Sequence, residues 1–522
     1  MRKVVALAIA LALASACHGN DTPAPTACTL SSDCAGGQTC LGGVCTGAAC
    51  TAALGLDTGP ARDCSLGDLP PLVSGNGGKP IGPATAPVGC QKPVVCSALP
   101  ASQVQIFGAH AAGDVVHFNV PAGTIGLSIV SQALKANDTV TVKDAKGKTT
   151  VIDNTVVPDK VKGPDGTVLY DDFAIPTDTD GGVLPTVPIV YGAGSPSTGA
   201  MTVPNTTAAL QGGLPAGTWQ FTVNDYAREC AIDSSQGCTA GAANGNTYDI
   251  QVVTKPGPLP SKGVLDVSFY IVSNHGGALT ANSAPNLASV KRMVQALSRI
   301  YSRAGICLGT VTFYDLPSWA QAKYSTINAD KTSPCDDLSQ LFTLSLPGNG
   351  LNIFLVEALT AKTQTGEGTV VGLDGTIPGP SSAGGTIHSG AVVSVADLTS
   401  GSCLGGFTTT CGADEVAYIT AHEGGHFLGL FHTSEQAGDS WDSLSDTPIC
   451  DCTKCTSATT HCAQNDPANT SPTLVTPSVC RQGASTQCQG ADNLMFWEFD
   501  NASIGNLSSQ QGQVMRANPL LR

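Results

Sequence analysis

Residues 422–432 read HEGGHFLGLFH, and the expected fold of the second half of the chain is inferred from this stretch. His422 and His426 are four residues apart, so a helix places their imidazoles one turn apart on one face, where they can share a metal ion. If the helix continued, His432 would be rotated by about 240° and carried about 9 Å along the axis. We therefore expect a break at Gly429, where a positive φ reverses the chain and returns His432 to the ion.

The three histidines form the donor set of a catalytic metal centre. Three neutral imidazoles leave one position of a tetrahedral zinc ion open, which is typical of catalytic rather than structural sites. Glu423 lies beside them and can act as a general base. The alternative is a set of core histidines without a metal, and burying those polar groups would be costly. We predict that His422, His426 and His432 bind Zn²⁺.

The surrounding sequence alternates between strand and helix patterns. Apolar residues recur at three- and four-residue spacing in the predicted helices and as short continuous runs in the predicted strands, and this alternation indicates an α/β (α+β) sheet. The motif helix is unusual, because Gly424 and Gly425 each weaken it by roughly 1 kcal/mol relative to Ala. The predicted strands are Leu265–Val272, Thr310–Tyr314, Leu351–Val356 and Gly390–Val395, and the predicted helices are Asn286–Ala304 and Asp337–Leu344.

Five further pieces flank the motif: FHT at 431–433, DSLSDTP at 442–448, DNLM at 492–495, LSSQQ at 507–511 and VMR at 514–516. Together with the motif they resemble the pappalysin and cytophagalysin branch of the metzincin metallopeptidases, over about residues 262–522. The resemblance implies a zinc endopeptidase acting on proteins or peptides, with Met495 in a tight turn beneath the metal. Family members usually carry Tyr two residues after this Met, where the sequence has Trp497.

The same resemblance suggests a second cation. Asp439, Asp442 and Asp446 lie in an acidic loop, and hard cations such as Ca²⁺ prefer clustered oxygen ligands. The family relatives imply a calcium site there. Ordinary solvated turn aspartates are the alternative, since no EF-hand spacing is present.

The N-terminus has the pattern of an export signal. Arg2 and Lys3 precede an apolar run from 4 to 14, and small residues then lead to Cys17. The site resembles that of bacterial lipoproteins, in which Cys17 would be lipidated. We expect residues 1–17 to be a signal peptide and the mature protein to be an envelope lipoprotein at the outer membrane or cell surface. Plain cleavage and secretion without a lipid is the alternative.

The cysteines agree with export. Setting Cys17 aside, the other 20 of the 21 fall into even groups, eight in 28–96, two in 230–238 and ten in 307–488. In an exported chain we expect structural disulfides, with a mild preference for local pairs. A thiolate metal site is the less favoured alternative for one cluster. The local pairs are Cys230 with Cys238 and Cys403 with Cys411, and the cluster is Cys450, Cys452, Cys455 and Cys462.

The first half divides by composition. We expect a small Cys-rich disulfide module at 18–64 and a Pro/Gly linker at 65–96. Period-two alternation then predicts a β-sandwich at 97–255, which resembles the pre-peptidase C-terminal type and which we interpret as a structural spacer. The zinc domain follows at 262–522. The alternating runs are Val115–Val120, Thr139–Lys143, Thr218–Val223 and Tyr248–Val253, with a hairpin turn at 144–147.

Charge excludes one class of function. Lys and Arg number 25 against 40 Asp and Glu, a net charge of −15 without a basic cluster, so we expect no binding to nucleic acid. Two alternatives to an exported peptidase remain: a non-proteolytic lipoprotein that binds protein, and a latent zymogen masked by residues 18–260. Five further histidines are interpreted as surface or core residues, namely His388, His461, His275, His110 and His117.

Overall fold

The computed structural model describes most of the chain after residue 68. The signal segment, Cys17, Cys230, His461 and the predicted turn at 144–147 lie outside the described residues, as does most of the Cys-rich module. The described ranges are 39–41, 44–46, 69–88, 103–133, 139–143, 149–170, 192–194, 198–225, 227–228, 238–239, 247–329, 335–346, 350–360, 370–380, 385–403, 406–438, 440–455, 474–482 and 488–522.

Three short strands precede the predicted sandwich. They are β1 (Thr39–Leu41), β2 (Val44–Thr46) and β3 (Leu72–Ser74). β1 and β2 pair with each other in antiparallel fashion. The structure differs from the predicted linker at 65–96, because β3 pairs in parallel with a strand of the C-terminal sheet and Ile81 is buried in its core. Two apolar residues were too short a run to indicate a strand, and a long-range partner decides the outcome.

In the middle part of the chain, buried apolar residues alternate with more exposed residues along the strands. Two antiparallel sheets share one core, to which Phe118 and Trp219 contribute from one sheet and Ile129 and Ile250 from the other. All four alternating runs are strands, as expected. The elements are β4 (Gln103–Ala111), β5 (Val115–Val120), β6 (Thr124–Ala133), β7 (Thr139–Lys143), β8 (Thr149–Asp153), β9 (Val156–Lys162), β10 (Val168–Tyr170), β11 (Gly192–Gly194), β12 (Thr198–Val203), α1 (Thr207–Gly212), β13 (Gly217–Asp225), β14 (Cys238–Thr239) and β15 (Thr247–Pro256).

Strands and helices alternate after residue 262, which confirms a mixed α/β architecture. The predicted elements are present within a few residues of their expected bounds. The elements are β16 (Gly263–Ile271), α2 (Ala288–Ser302), β17 (Ile306–Asp315), α3 (Ser318–Tyr324), β18 (Thr326–Asn328), α4 (Asp337–Phe342), β19 (Gly350–Val356), β20 (Ala358–Thr360), β21 (Gly372–Asp374), β22 (Ala391–Ser394), α5 (Gly412–Phe427), α6 (Cys452–Cys455), α7 (Pro477–Gln482) and α8 (Ser509–Ala517).

A six-stranded sheet in the order β21-β22-β19-β16-β17-β3 forms the centre of this part. Its strands are parallel except β21, which runs antiparallel to β22. Because side chains alternate across a strand, Phe269 and Ile353 pack beneath α2 and α5, while Tyr270 and Phe354 face α3 and α4. The sheet therefore has a helix layer on each side, and β21 lies at its edge.

The sandwich is joined to this part by shared packing. Leu210 and Val253 contact the apolar core beneath α2 and α5. Lys255 Nζ donates hydrogen bonds to the carbonyls of Arg516, at 2.7 Å, and Asn518, at 3.1 Å. The region expected to be a spacer is thus in direct contact with the α/β part.

Disulfides cross-link the loops near the end of the chain. The expected pair Cys403–Cys411 is present, and Cys450–Cys480 and Cys455–Cys488 join the loops after α5. Cys452 is also disulfide-bonded, so three of the four cysteines of the alternative thiolate site cannot act as thiolates. Disulfides are consistent with an extracytoplasmic location. Among the described helices, none has the length and apolar character needed to cross a membrane.

Candidate metal centre

Helix α5 carries the first two histidines, and a charge pair fixes its start. Asp414 lies in the first turn, where a negative charge interacts favourably with the helix dipole. Its fully buried carboxylate accepts hydrogen bonds from Arg292 Nε, at 2.6 Å, and Nη2, at 2.5 Å. A buried charge is tolerated when it is paired in this way. The pair holds α5 against α2.

Two glycines give α5 room where it crosses its neighbours. A Cβ on Gly424 would overlap the hydroxyl of Tyr301, and a Cβ on Gly425 would lie 2.6 Å from Sδ of Met495. Both positions are well inside the normal carbon contact distance of about 3.5–4.0 Å. The helix weakness noted from the sequence therefore permits close packing on two sides.

The turn after α5 confirms the predicted role of Gly429. Gly429 has φ +102°, and its N–H donates to the carbonyl of His426 at 2.8 Å. Leu430 N–H then donates back to the carbonyl of Gly425 at 3.0 Å. The chain reverses here, and His432 returns to the other two histidines.

Backbone carbonyls orient the two helical imidazoles. Nδ1 of His422 donates to the carbonyl of Leu494, and Nδ1 of His426 donates to that of Leu430, both at 2.7 Å. A carbonyl oxygen only accepts, so Nδ1 carries the proton in each ring and Nε2 carries the lone pair.

The third imidazole is oriented by a carboxylate. His432 Nδ1 and Glu435 Oε1 lie 3.0 Å apart. Burial alone would raise the pKa of Glu435, but the hydrogen bond with His432 and the nearby imidazoles lower it overall. Glu435 is therefore an ionised acceptor for Nδ1 of His432, and the Nε2 atom of this ring faces the other two imidazoles. Such outer partners fix ring orientation in metal sites.

The three Nε2 atoms face one another. His432 Nε2 lies 3.1 Å from His426 Nε2 and 3.3 Å from His422 Nε2. In the neutral form that binds a metal, with Nδ1 donating, each ring presents a lone pair at Nε2. Two nitrogens bound to tetrahedral zinc at about 2.0–2.1 Å are separated by about 3.3 Å. The spacing and the donor set both fit a metal ion.

Burial keeps the ligands in the form that a metal needs. It lowers the pKa of His422 to about 3, with a further contribution from the nearby His432, and it lowers the pKa of His426 well below its usual value. Neutral imidazole is the ligating form. Within the part of the chain that the structure describes, these three residues are the group of His, Cys, Asp or Glu side chains that could hold a metal ion, and their ligand atoms lie within 4.8 Å of one another.

Glu423, which directly follows His422, is buried against strand β21. Burial raises its pKa to about 8, while a hydrogen bond from the backbone N–H of Asp374 opposes the shift. A Cβ on Gly372 would lie 2.5 Å from Glu423 Oε1. Burial, and then the neighbouring Glu423, raise the pKa of Asp374 well above its usual range. The edge strand thus determines where this carboxyl group lies.

Met495 lies in a turn beneath α5. Its carbonyl accepts a hydrogen bond from Thr433 N–H at 2.9 Å, and its own N–H donates to Asn493 Oδ1 at 2.8 Å. Asn493 also exchanges side-chain hydrogen bonds with Gln511 of α8. Residues 493–495 therefore contact the helix, the chain after His432 and the last helix.

Trp497 has a structural contact in place of the Tyr expected from the resemblance. Its Nε1 donates to the carbonyl of Val475 at 2.7 Å. The ring packs against the disulfide-linked cluster that includes Phe496. Its polar atom is thus used within the fold.

The acidic loop is engaged in hydrogen bonds. Asp442 Oδ1 accepts from Thr447 Oγ1, at 2.5 Å, and burial raises the pKa of Asp442 to about 7. Asp446 accepts from Ser508 Oγ and from Gln510 N–H at the start of α8. Asp439 lies outside the described residues. The calcium site therefore stays a prediction.

Three features of the site escaped the sequence analysis. Strand β21 is three residues long, Glu435 lies outside the motif, and His388 was not linked to any site. His388 is 5% exposed and its Nδ1 lies 2.9 Å from the carbonyl of Gly375, next to β21. A single apolar residue between Gly372 and Asp374 gives no usable strand signal, whereas Glu435 three residues after His432 could have suggested a contact.

The chain was compared with protein-family models and with curated proteins. No family model matches it, and no curated protein matches it significantly.

Proposed function

We propose that the chain is an exported zinc-dependent endopeptidase of the metzincin type, in the pappalysin and cytophagalysin branch. The observation that carries the proposal is the meeting of three Nε2 atoms, from His422, His426 and His432, on a helix and turn that also carry the buried Glu423. Three imidazoles leave room for a further ligand on zinc, and Glu423 directly follows the first of them in the sequence.

Glu423 would perform the proton transfers. Zinc, when bound, lowers the pKa of a water ligand to about 7 and polarises the scissile carbonyl. Glu423 accepts the proton of the attacking water and delivers it to the leaving amine. The N–H of Asp374 holds one carboxylate oxygen, which leaves the other for the water. Because burial favours the protonated form, the same group can also act as the acid.

The edge strand offers a place for an extended substrate. β21 is the terminal strand of its sheet in the described residues, and its three residues are partly exposed. An extended peptide can add to such an edge by backbone hydrogen bonds. A peptide paired there would pass beside Glu423, which supports cleavage within a chain.

Export and lipidation complete the proposal. The disulfides of the α/β part are consistent with an oxidising compartment, and the signal pattern ending at Cys17 would provide a route and a lipid anchor. The zymogen alternative gains no support, because no acidic, thiol or imidazole group among the described residues before 261 joins the three histidines.

The test uses the full-length mature protein loaded with zinc. We expect it to cleave a peptide library, to lose activity with a chelator and to regain it with zinc. Glu423→Gln should retain one zinc and its fold but lose at least about 10²-fold in turnover, the lower range for general acid–base catalysis. Glu415→Gln, on the same helix, is the matched control and should behave like wild type.

Three results would count against the proposal. Undiminished cleavage by Glu423→Gln would contradict the mechanism. Zinc binding without cleavage of any library peptide would favour the non-proteolytic binding alternative. Higher activity after removal of residues 18–260 would favour the zymogen.

A further inference from the structure

A buried histidine connects the sandwich to the edge strand of the α/β sheet. His388 Nδ1 lies 2.9 Å from the carbonyl oxygen of Gly375, and its Nε2 contacts Oγ1 of Thr198 in β12. The Gly375 oxygen can only accept, so Nδ1 carries the proton and Nε2 accepts from the Thr198 hydroxyl. Both side chains are buried, with Thr198 at 0% exposure. One sandwich hydroxyl is thus linked to the residue that follows β21.

The link continues to the proposed general base. Gly375 directly follows Asp374, the residue whose N–H donates to the Glu423 carboxylate. On the other side, Gly375 N–H donates to the carbonyl of Gly390 at 3.1 Å. The backbone segment that holds Glu423 is therefore itself held at Gly375, by His388 through its carbonyl and by Gly390 through its N–H.

Strand β21 has one neighbouring strand among the described residues. Its three residues pair with β22 only, since β21 ends the sheet. The backbone at Gly372 and Gly375 is tightly packed. A Cβ on Gly372 would lie 2.5 Å from Glu423 Oε1, and a Cβ on Gly375 would lie 2.7 Å from the carbonyl oxygen of His388. A small movement of this peptide would move the carboxyl group.

We propose that His388 and Thr198 are positioning residues, through which the sandwich fixes the backbone segment 374–376 and so orients the carboxyl of Glu423. The inference rests on the proposed function, in which Glu423 is the general base. The sandwich then contributes to catalysis without touching the substrate. Burial lowers the pKa of His388 to about 4, so the ring stays neutral and the pattern of donor and acceptor is constant at neutral pH.

Point variants of the full-length, zinc-loaded protein test the proposal. Thr198→Val keeps the shape of the side chain but removes the hydroxyl, and Thr198→Ser restores the hydroxyl. His388→Asn keeps a donor for Gly375 and removes the link to the sandwich. Thr218→Val, at an exposed position of β13 in the other sheet, is the matched control. The readouts are hydrogen exchange of residues 372–376, zinc content, kcat and KM.

For Thr198→Val and His388→Asn we expect faster exchange at Asp374 and a fall in kcat of about 10- to 100-fold, the usual effect of losing an outer partner. KM should change by less than about threefold and zinc content should stay at one, since the histidines are untouched. Thr198→Ser should recover both exchange protection and kcat, and Thr218→Val should match wild type.

Two outcomes would overturn the proposal. The first is wild-type exchange in both Thr198→Val and His388→Asn. The second is a defect in Thr198→Ser equal to that in Thr198→Val, because the hydroxyl would then not be the cause. If wild type cleaves no peptide, the proposed function fails, whereas the exchange measurement still decides whether the sandwich holds the peptide. If Thr198→Val does not fold, His388→Asn gives the same decision.

Discussion

One buried polar cluster of the sandwich and the metal centre of the α/β part are arranged in opposite ways. In the sandwich, Asp225 accepts from Tyr248 Oη, at 2.8 Å, and from Arg228 N–H, at 2.9 Å. Asp159 accepts from Asn224 Nδ2, at 3.0 Å, and from a backbone N–H. Each carboxylate oxygen there has a donor. The donors and acceptors of this sandwich cluster are paired with one another, as is usual for structural polar groups.

The metal centre has ring nitrogens that face one another. Nδ1 of His422 and of His426 donates to a backbone carbonyl and Nδ1 of His432 contacts Glu435, while the Nε2 atoms meet at 3.1 Å and 3.3 Å. With neutral rings this arrangement is costly without a cation, because lone pairs then face lone pairs. The comparison teaches that converging ring nitrogens, rather than burial or charge alone, distinguish the metal centre from the sandwich cluster.

The largest effect is expected from removing one of the three histidines of the metal centre. His426→Ala removes one Nε2 and should abolish stable zinc binding, so zinc content falls from one to near zero and cleavage falls by at least about 10³-fold, a loss typical of a removed catalytic component. Zinc content by mass spectrometry and peptide cleavage measure this. A variant that still holds one zinc with full activity would contradict the assignment of ligands.

A pH dependence of stability follows from the histidine between the two regions. The pKa of His388 is about 4 when folded and about 6.5 when unfolded. The unfolded chain therefore takes up the proton first, and the stabilisation is present above pH 6.5 and lost as the pH falls from 6.5 to 4. The loss is about 3 kcal/mol.

The check is the free energy of unfolding between pH 4 and 7 in wild type and His388→Leu. The variant should show a shallower loss toward low pH. Equal slopes would show that this ring is not buried in its neutral form.

Packing around the motif helix gives the next effect. Gly424→Ala should improve helix propensity by about 1 kcal/mol yet destabilise the fold by about 2 kcal/mol, because its Cβ overlaps the rigid Tyr301 ring hydroxyl. Gly425→Ala meets the flexible Met495 and should cost less. Adding Tyr301→Phe should recover part of the Gly424→Ala loss in denaturant titration, and strict additivity of the two changes would argue against this contact.

The smallest effect is expected in the sandwich cluster around Asp225. Tyr248→Phe removes one donor to Asp225 and should lower the free energy of unfolding by about 1–2 kcal/mol, the cost of one buried hydrogen bond. Zinc content and kcat should not change. A loss of zinc in this variant would show that the two regions are not separable in the way described.

The sequence predicted what local spacing controls. The offsets within residues 422–432 gave the histidine trio and the turn at Gly429, and apolar periodicity gave α2 within two residues at each end. Strand pairing between residues far apart in the sequence could not be predicted. Leu72–Ser74 joins the sheet only because β17 offers an edge, and β21 is recognisable only beside Glu423.

The contacts of His388 could not be predicted from the sequence either. Its neighbours in sequence carry no metal or catalytic pattern, and its contacts come from residues 13 and 190 positions away. Likewise, the reason for the glycine pair in α5 is found on Tyr301 and Met495, not in the motif. Tertiary contacts of single residues leave no periodic signal for sequence reasoning to read.

The most direct measurement is anomalous diffraction at the zinc edge from crystals of the zinc-loaded full-length protein. We expect one strong peak about 2.0–2.1 Å from Nε2 of His422, His426 and His432, with the Glu423 carboxyl close by but not bound. No peak between these three atoms after zinc loading, or a peak on other side chains, would contradict the account.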